Sequence, residues 1–186
     1  MMKEINKNIF IPMPMAVIGT SEQGRNNFMA AGWVSRANAN PPMISIGIGN
    51  HHYTTKLIND NRAFSVNICG KDMLVKTDFC GIYSGENTDK SGVFTTFKGN
   101  IEGAPLIEGS IVAIECRLIQ TVKLDTNTVF IGEIAGAWGN ENFLSNKFPD
   151  YKKGEAYFLT MPDNRYWSMG ENIGKAWSDG KDYGKP

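Results

Sequence analysis

The chain reads as mainly β, an antiparallel barrel carrying a few short helices. Three observations predict this. At least six segments show strand chemistry, and the two longest are separated only by Asp125-Thr126-Asn127. Helical patterning is confined to short stretches. No strand–helix–strand rhythm of the kind a doubly wound parallel sheet requires runs through the sequence. At 186 residues the chain is sized for one domain spanning 1–186.

The elements follow in order. Residues 1–12 lead into a strand at Met15–Thr20, and Ser21–Asn26 is a hairpin-type turn rich in turn formers. Asn27–Ser35 is the next strand; Asn38-Ala39-Asn40-Pro41-Pro42 breaks it, and Met43–Gly49 resumes it. Tyr53-Thr54-Thr55 opens a short helix through Asn61, with Leu57-Ile58 as its apolar pair. Ala63–Ile68 alternates at period two. Lys71–Phe79 is a second short helix, followed by a Gly-, Ser- and Asp-rich loop over 80–104. Ser110–Val122 and Thr128–Trp138 form a long hairpin. The tail holds a strand at Glu155–Thr160 and a short aromatic-bearing helix within Asp163–Trp177.

Composition removes several function classes. The formal charge is zero and 20% of residues are charged, so no basic field favours nucleic acid. No apolar run approaches the roughly 18 residues of a membrane span, and the polar start Met1–Lys7, followed by Pro12 and Pro14, does not read as a signal peptide. A cytoplasmic, soluble protein is expected. Cys69, Cys80 and Cys116 are odd in number and widely spaced, which indicates neither a disulfide framework nor a zinc site. Small buried hydrophobes are the expected use. His51 and His52 lack further ligands at metal-binding spacing. Gly47-Ile48-Gly49 and Gly170–Lys175 fail the dinucleotide and phosphate-loop patterns, the first because His52 occupies the sixth position, the second because Ala176 replaces the hydroxyl.

Two adjacent stretches carry chemistry. Ala30-Ala31-Gly32 puts three small residues in an otherwise apolar strand, so a flat ring can lie against main-chain groups. One strand later, His52-Tyr53-Thr54-Thr55 opens a helix whose N–H groups and dipole attract phosphate. A planar ligand bearing phosphate would use both.

The order Asn27-x-Met29-x-x-x-Trp33, Pro41-Pro42, Tyr53-Thr54, then Ser84-Gly85 with Asp89-Lys90 resembles the flavin reductase-like proteins with an FMN-binding split barrel, the flavoredoxin-like members most closely. The likeness covers about residues 10–180. It implies an antiparallel split β-barrel and FMN as cofactor. Asn27, Met29, Ala30, Ala31, Gly32 and Trp33 would line the isoalloxazine; His52, Tyr53, Thr54 and Thr55 would meet the phosphate and ribityl chain; Ser84, Gly85 and Lys90 would complete the grip. Each set also has a plain alternative: a core strand, a helix cap, a solvated loop. Many members carry Thr in place of Ala30 and Arg in place of His52. A phosphate at His52 would favour its protonated form, so FMN affinity is expected to weaken above neutral pH.

The resemblance further implies a homodimer. It also implies electron transfer from NADH, NADPH or a redox protein, with the cofactor carrying the chemistry and no catalytic acid or nucleophile required. A barrel that binds a ligand or protein without turnover is the alternative. Packing of Tyr166, Trp167 and Trp177 over the flavin or a subunit boundary is a further expectation.

Overall fold

A computed structural model describes the chain apart from residues 10, 154–157, 161–163 and 184–186, and apart from the side chains of 158–160 and 182. Its strands are β1 (Met13–Pro14), β2 (Ala16–Glu22), β3 (Arg25–Ala31), β4 (Val34–Asn38), β5 (Met43–Gly49), β6 (Ala63–Ile68), β7 (Thr96–Phe97), β8 (Leu106–Ile107), β9 (Val112–Lys123), β10 (Asn127–Gly139), β11 (Leu144–Ser145), β12 (Phe148–Pro149), β13 (Phe158–Thr160) and β14 (Tyr166–Ser168). Among the described residues two α-helices interrupt them, α1 (Tyr53–Asn61) and α2 (Leu74–Ile82).

Seven strands form one antiparallel sheet in the order β3-β2-β6-β9-β10-β5-β4. β3 and β4 are consecutive in sequence yet stand at opposite edges, joined through Gly32-Trp33 and unpaired with each other. The sheet curls until inward residues from both edges share one core: Ala31 from β3, Val34 from β4, and between them Ile18, Ile46, Phe64, Cys116 and Phe130. Ile58 of α1 packs into the same core. A barrel split between β3 and β4 is the result.

The split leaves each edge strand with main-chain groups that no neighbouring strand takes up. Outside the barrel, α2 and the following loop cover the outer face of β2 and β3 in a second cluster of Val17, Phe28, Cys69, Cys80 and Phe94. The Phe28 and Phe94 rings meet edge to face at 5.2 Å. A Cβ on Gly81 would come within 3.3 Å of Ala30 Cβ, so small residues on both sides let α2 approach the edge strand closely.

The sequence expectations need four corrections. The segment Asn27–Ser35 is not one strand: β3 stops at Ala31 and β4 starts at Val34. The chain turns there to cross the split, with Val34 N donating to Gly32 O at 3.0 Å and Gly47 N to Trp33 O at 2.8 Å. The second helix begins with a 3-10 turn at Lys71–Met73 and runs to Ile82, shortening the loop. The short pairs β1–β13, β7–β8 and β11–β12 are too brief to leave a periodic signal.

In the tail, Tyr166–Ser168 is a strand paired with β13, not part of a helix. Gly170 and Gly174 disfavour helix, whereas aromatic residues suit a sheet edge. Glu155–Tyr157 of the expected tail strand, and Asp163, lie outside the described residues. Tyr166 Oη donates to Asp78 Oδ1 of α2 at 2.7 Å and so fastens the tail to the outer layer. Among the described residues no helix is long and apolar enough to cross a membrane.

Candidate functional site

The site is built where the edge strand β3 meets the start of α1. Asn27 is 6% exposed. Its Nδ2 donates to Thr20 Oγ1 at 3.1 Å and to Thr54 Oγ1 at 3.0 Å, tying β3, β2 and α1 together. Its Oδ1 is buried without a hydrogen-bond partner among the described residues. A buried acceptor left open costs free energy unless a donor arrives.

Gly85 closes over that oxygen. A Cβ at this position would lie 1.9 Å from Asn27 Oδ1 and 3.3 Å from Tyr53 Cδ1, so only glycine lets the loop come this close. The loop is shaped by Ser84, whose carbonyl accepts from Asn87 N at 3.2 Å and Thr88 N at 3.0 Å. Lys90, 3% exposed, extends its Nζ to Phe28 O on the free edge of β3 at 2.9 Å and to Cys80 O in the last turn of α2 at 3.0 Å. Burial holds its pKa below the usual lysine value. An ammonium has three N–H donors, so among the described residues a third remains beyond these two bonds.

These groups border a polar cavity of about 210 Å³ that also takes in Glu22, Arg25 and Asn26. Tyr53 Oη donates to Glu22 Oε2, and Lys56 Nζ bonds Glu22 Oε1 at 2.9 Å. The tyrosine bond and then the lysine bond hold the Glu22 carboxyl below its usual range, and the same carboxylate raises Tyr53.

The helix start is otherwise turned inward. Thr54 Oγ1 accepts from Asn27, and Thr55 Oγ1 donates to Gly49 O at 2.9 Å. His52 sits at the N-cap with no side-chain capping bond. Its ring lies 4.2 Å from that of His51. Burial first, then the charges of His51 and Lys90, lower its pKa from 6.5.

The remaining expected residues point elsewhere. Met29 and Ala31 face the barrel core, and Ala30 faces α2. Gly32 and Trp33 border a different, largely apolar groove of about 820 Å³, shared with Gly47, Val129 and the extended segment Ile11–Pro14. Trp33 is 45% exposed, and its Cε3 lies 3.1 Å from where a Gly47 Cβ would stand. The structure therefore gathers Asn27, Tyr53, Gly85 and Lys90 at one end of β3 and Gly32 with Trp33 at the other. Five residues of strand set those ends roughly 17 Å apart.

Sequence reasoning missed Glu22, Arg25, Asn26 and the Glu86–Thr88 stretch. A signal was present: Glu22 pairs with Arg25 across the two-residue turn Gln23-Gly24, so both must flank whatever the hairpin overhangs. The cysteines are all buried. Burial pushes Cys69 and Cys116 up to about 12 and Cys80 to about 11, so the thiolate needed for exchange chemistry is scarce.

A split barrel with an open edge strand, a buried acceptor without a partner among the described residues and a helix start beside it is the arrangement on which the comparisons bear. The Flavin reductase like domain matches residues 9–156, and the chain belongs to that family. It is similar to flavoredoxin from Methanosarcina acetivorans, at 45% identity and a TM-score of 0.94, with 98% of each chain covered. Flavoredoxin of Desulfovibrio vulgaris (Miyazaki F) is 33% identical with a TM-score of 0.87, covering 97% of this chain and 100% of that one. An FMN-binding protein from Thermus thermophilus, solved with bound 1-cyclohex-2-enone, is 25% identical with a TM-score of 0.81, covering 94% and 97%. The chain spans only 54% of a curated Aeropyrum pernix relative, to which it is 27% identical over 143 residues covering 75% of this chain. The protein is thus a flavin-binding protein of oxidoreductase type.

Proposed function

We propose that this chain binds FMN across the split of the barrel and passes electrons between a nicotinamide or protein donor and an acceptor, as a flavin reductase or flavoredoxin-like carrier. The observation that carries this reading is the buried Oδ1 of Asn27, without a partner among the described residues, on a residue that lines a cavity with Lys90 and Gly85. An acceptor there fits a hydroxyl donor such as those of a ribityl chain, and the spare N–H of Lys90 and the α1 N-terminus fit phosphate. FMN, when bound, supplies the redox chemistry.

The chain's own residues then have separable tasks. Asn27 and Gly85 accept and admit the ribityl chain; Lys90, Tyr53 and His52 stand around the phosphate; Thr54 and Thr55 hold the helix start in place through their inward bonds. Ala30 to Trp33, at the point where β3 ends and the split is crossed, offer main-chain groups and an indole to the ring. Family likeness supports a flavin, likeness to the FMN-binding protein from Thermus thermophilus supports FMN, and likeness to the flavoredoxins supports electron transfer. A homodimer belongs to the same reading.

The test is an absorption spectrum of the purified protein, with FMN added to any colourless fraction, followed by anaerobic NADH or NADPH. Flavin bands that bleach with a nicotinamide identify a reductase. Bands that bleach only with dithionite identify a carrier fed by another protein. Failure to bind FMN overturns the proposal.

A further inference from the structure

Tyr53, the first residue of α1, lines the polar cavity, and the turn Asn50-His51-His52 between β5 and α1 decides where that helix start stands. Part of the turn is shaped by its own neighbours. Gly49 O accepts from His52 N at 3.1 Å and from Thr55 Oγ1 at 2.9 Å. A Cβ on Gly49 would stand 2.9 Å from His52 Cδ2 and 3.0 Å from His51 Cε1, so glycine lets both imidazoles fold back over the strand end. These contacts are local to the turn and the opening of the helix.

Asn50 ties the turn to a distant part of the chain. Its backbone N donates to Thr126 O at 2.9 Å, and its Nδ2 donates to Leu124 O at 2.9 Å and Asp125 O at 3.1 Å. Its Oδ1 accepts from Thr128 Oγ1 at 2.7 Å. An asparagine amide offers two donors and one acceptor oxygen, and both kinds are engaged here. Three successive carbonyls of the β9–β10 turn and the hydroxyl of Thr128, 3% exposed on β10, therefore converge on one residue. The hairpin behind them is an extensive ladder, from Thr128 opposite Lys123 to Gly139 opposite Val112. Asn50 itself borders neither the polar cavity nor the apolar groove.

We propose that Asn50 is a positioning residue for phosphate binding: it fixes the start of α1 against the β9–β10 hairpin, so that the first N–H groups of the helix and His52 are already in place for a ligand phosphate. The proposal rests on the FMN reading above. The first N–H groups of a helix have no intrahelical partners, and they serve an anion best when their direction is set before it arrives. Ordering the turn during folding removes that cost from binding. The ring end lies at the other end of β3, so loosening this turn weakens a flavin that carries phosphate and spares one that does not.

The test titrates the full chain with FMN and with riboflavin by fluorescence, comparing wild type with Asn50→Ala, Thr128→Val and the double variant, each checked for folding by circular dichroism. Thr128→Val is similar in shape, removes the hydroxyl that holds Asn50 Oδ1, and lies outside both cavities. Wild type is expected to bind FMN more tightly than riboflavin. That preference should fall about tenfold in Asn50→Ala and a few-fold in Thr128→Val, with riboflavin affinity unchanged. The double variant should match Asn50→Ala, because the hydroxyl acts through Asn50. If FMN and riboflavin weaken equally, or if both variants keep the preference, the positioning role is overturned and the FMN reading stands. If Asn50→Ala fails to fold, Thr128→Val decides: a reduced preference supports the role and a retained one overturns it. A wild type with no preference for FMN removes the phosphate reading, and the role of Asn50 with it.

Discussion

The two ends of β3 are built in opposite ways. At Asn27 the site consists of buried side chains whose hydrogen bonds also hold the fold: Asn27 links β2, β3 and α1, and Lys90 links the strand edge to the end of α2. At Trp33 it consists of main chain and a half-exposed indole beside an apolar groove. On the proposed reading, the difference teaches that binding and stability are coupled at the polar end and separable at the apolar one. Substitutions should therefore sort by which end they touch.

The largest effect is expected at Gly85. Gly85→Ala drives a methyl into Asn27 Oδ1, and overpacking of this kind costs about 1–3 kcal/mol, so FMN affinity should fall roughly 10- to 100-fold by fluorescence titration. An unchanged affinity would mean that the loop moves freely and that the acceptor is not part of the site.

Next comes Asn27→Leu, similar in shape but unable to donate to Thr20 and Thr54. Stability should drop by about 1–3 kcal/mol even without flavin, and thermal unfolding should shift down by about 2–4 °C per kcal/mol. Lys90→Met should behave likewise, because Phe28 O and Cys80 O lose their donor. In contrast, Trp33→Ala should change stability by less than about 1 kcal/mol, as a half-exposed side chain does, while shifting the visible spectrum of bound FMN. Equal losses at both ends would break the contrast.

A smaller effect concerns pH. Because burial and neighbouring positive charge lower the His52 pKa from 6.5 in the free protein, a bound phosphate must raise it again. Binding then takes up a proton, and FMN affinity should fall as pH rises from below about 6.5 to the raised value in the complex. The same depression means the unfolded chain binds this proton more readily, so the His52 contribution to stability is present above about pH 6.5 and is lost as pH falls. Affinity for riboflavin, which has no phosphate, should stay flat across that range. A parallel decline for riboflavin would remove His52 from the phosphate site. The least change is expected of the cysteines, whose raised pKa values predict slow labelling by a disulfide reagent until the chain unfolds.

Much of this was legible in the sequence. Alternation and turn chemistry predict β2, β5, β6 and the β9–β10 hairpin because each spans enough residues to show its period. The start of α1 was legible in Tyr53-Thr54-Thr55. The break at Gly32-Trp33 was not, since a strand leaving one sheet edge for the other keeps the same apolar composition on both sides. The small run Ala30-Ala31-Gly32 reads in the sequence as a platform for a ring. The structure adds another use for part of it, since Ala30 also admits the α2 backbone at Gly81. The resemblance implies that Thr54 and Thr55 meet the phosphate and ribityl chain, yet their hydroxyls bond inward, which depends on how α1 seats on β3 and β5 and has no local signature. Glu22 and Arg25 escaped for a related reason: their place is set by hairpin register, a property of two strands together.

The central claim is that one FMN molecule spans β3 from Lys90 to Trp33. The most direct measurement is a crystal structure of the chain with FMN. Density for the phosphate within hydrogen-bonding reach of Lys90 and the α1 N-terminus, with the ring against residues 30–33, is the predicted result. FMN bound elsewhere, or with its phosphate at the Trp33 groove and its ring at Asn27, would contradict it.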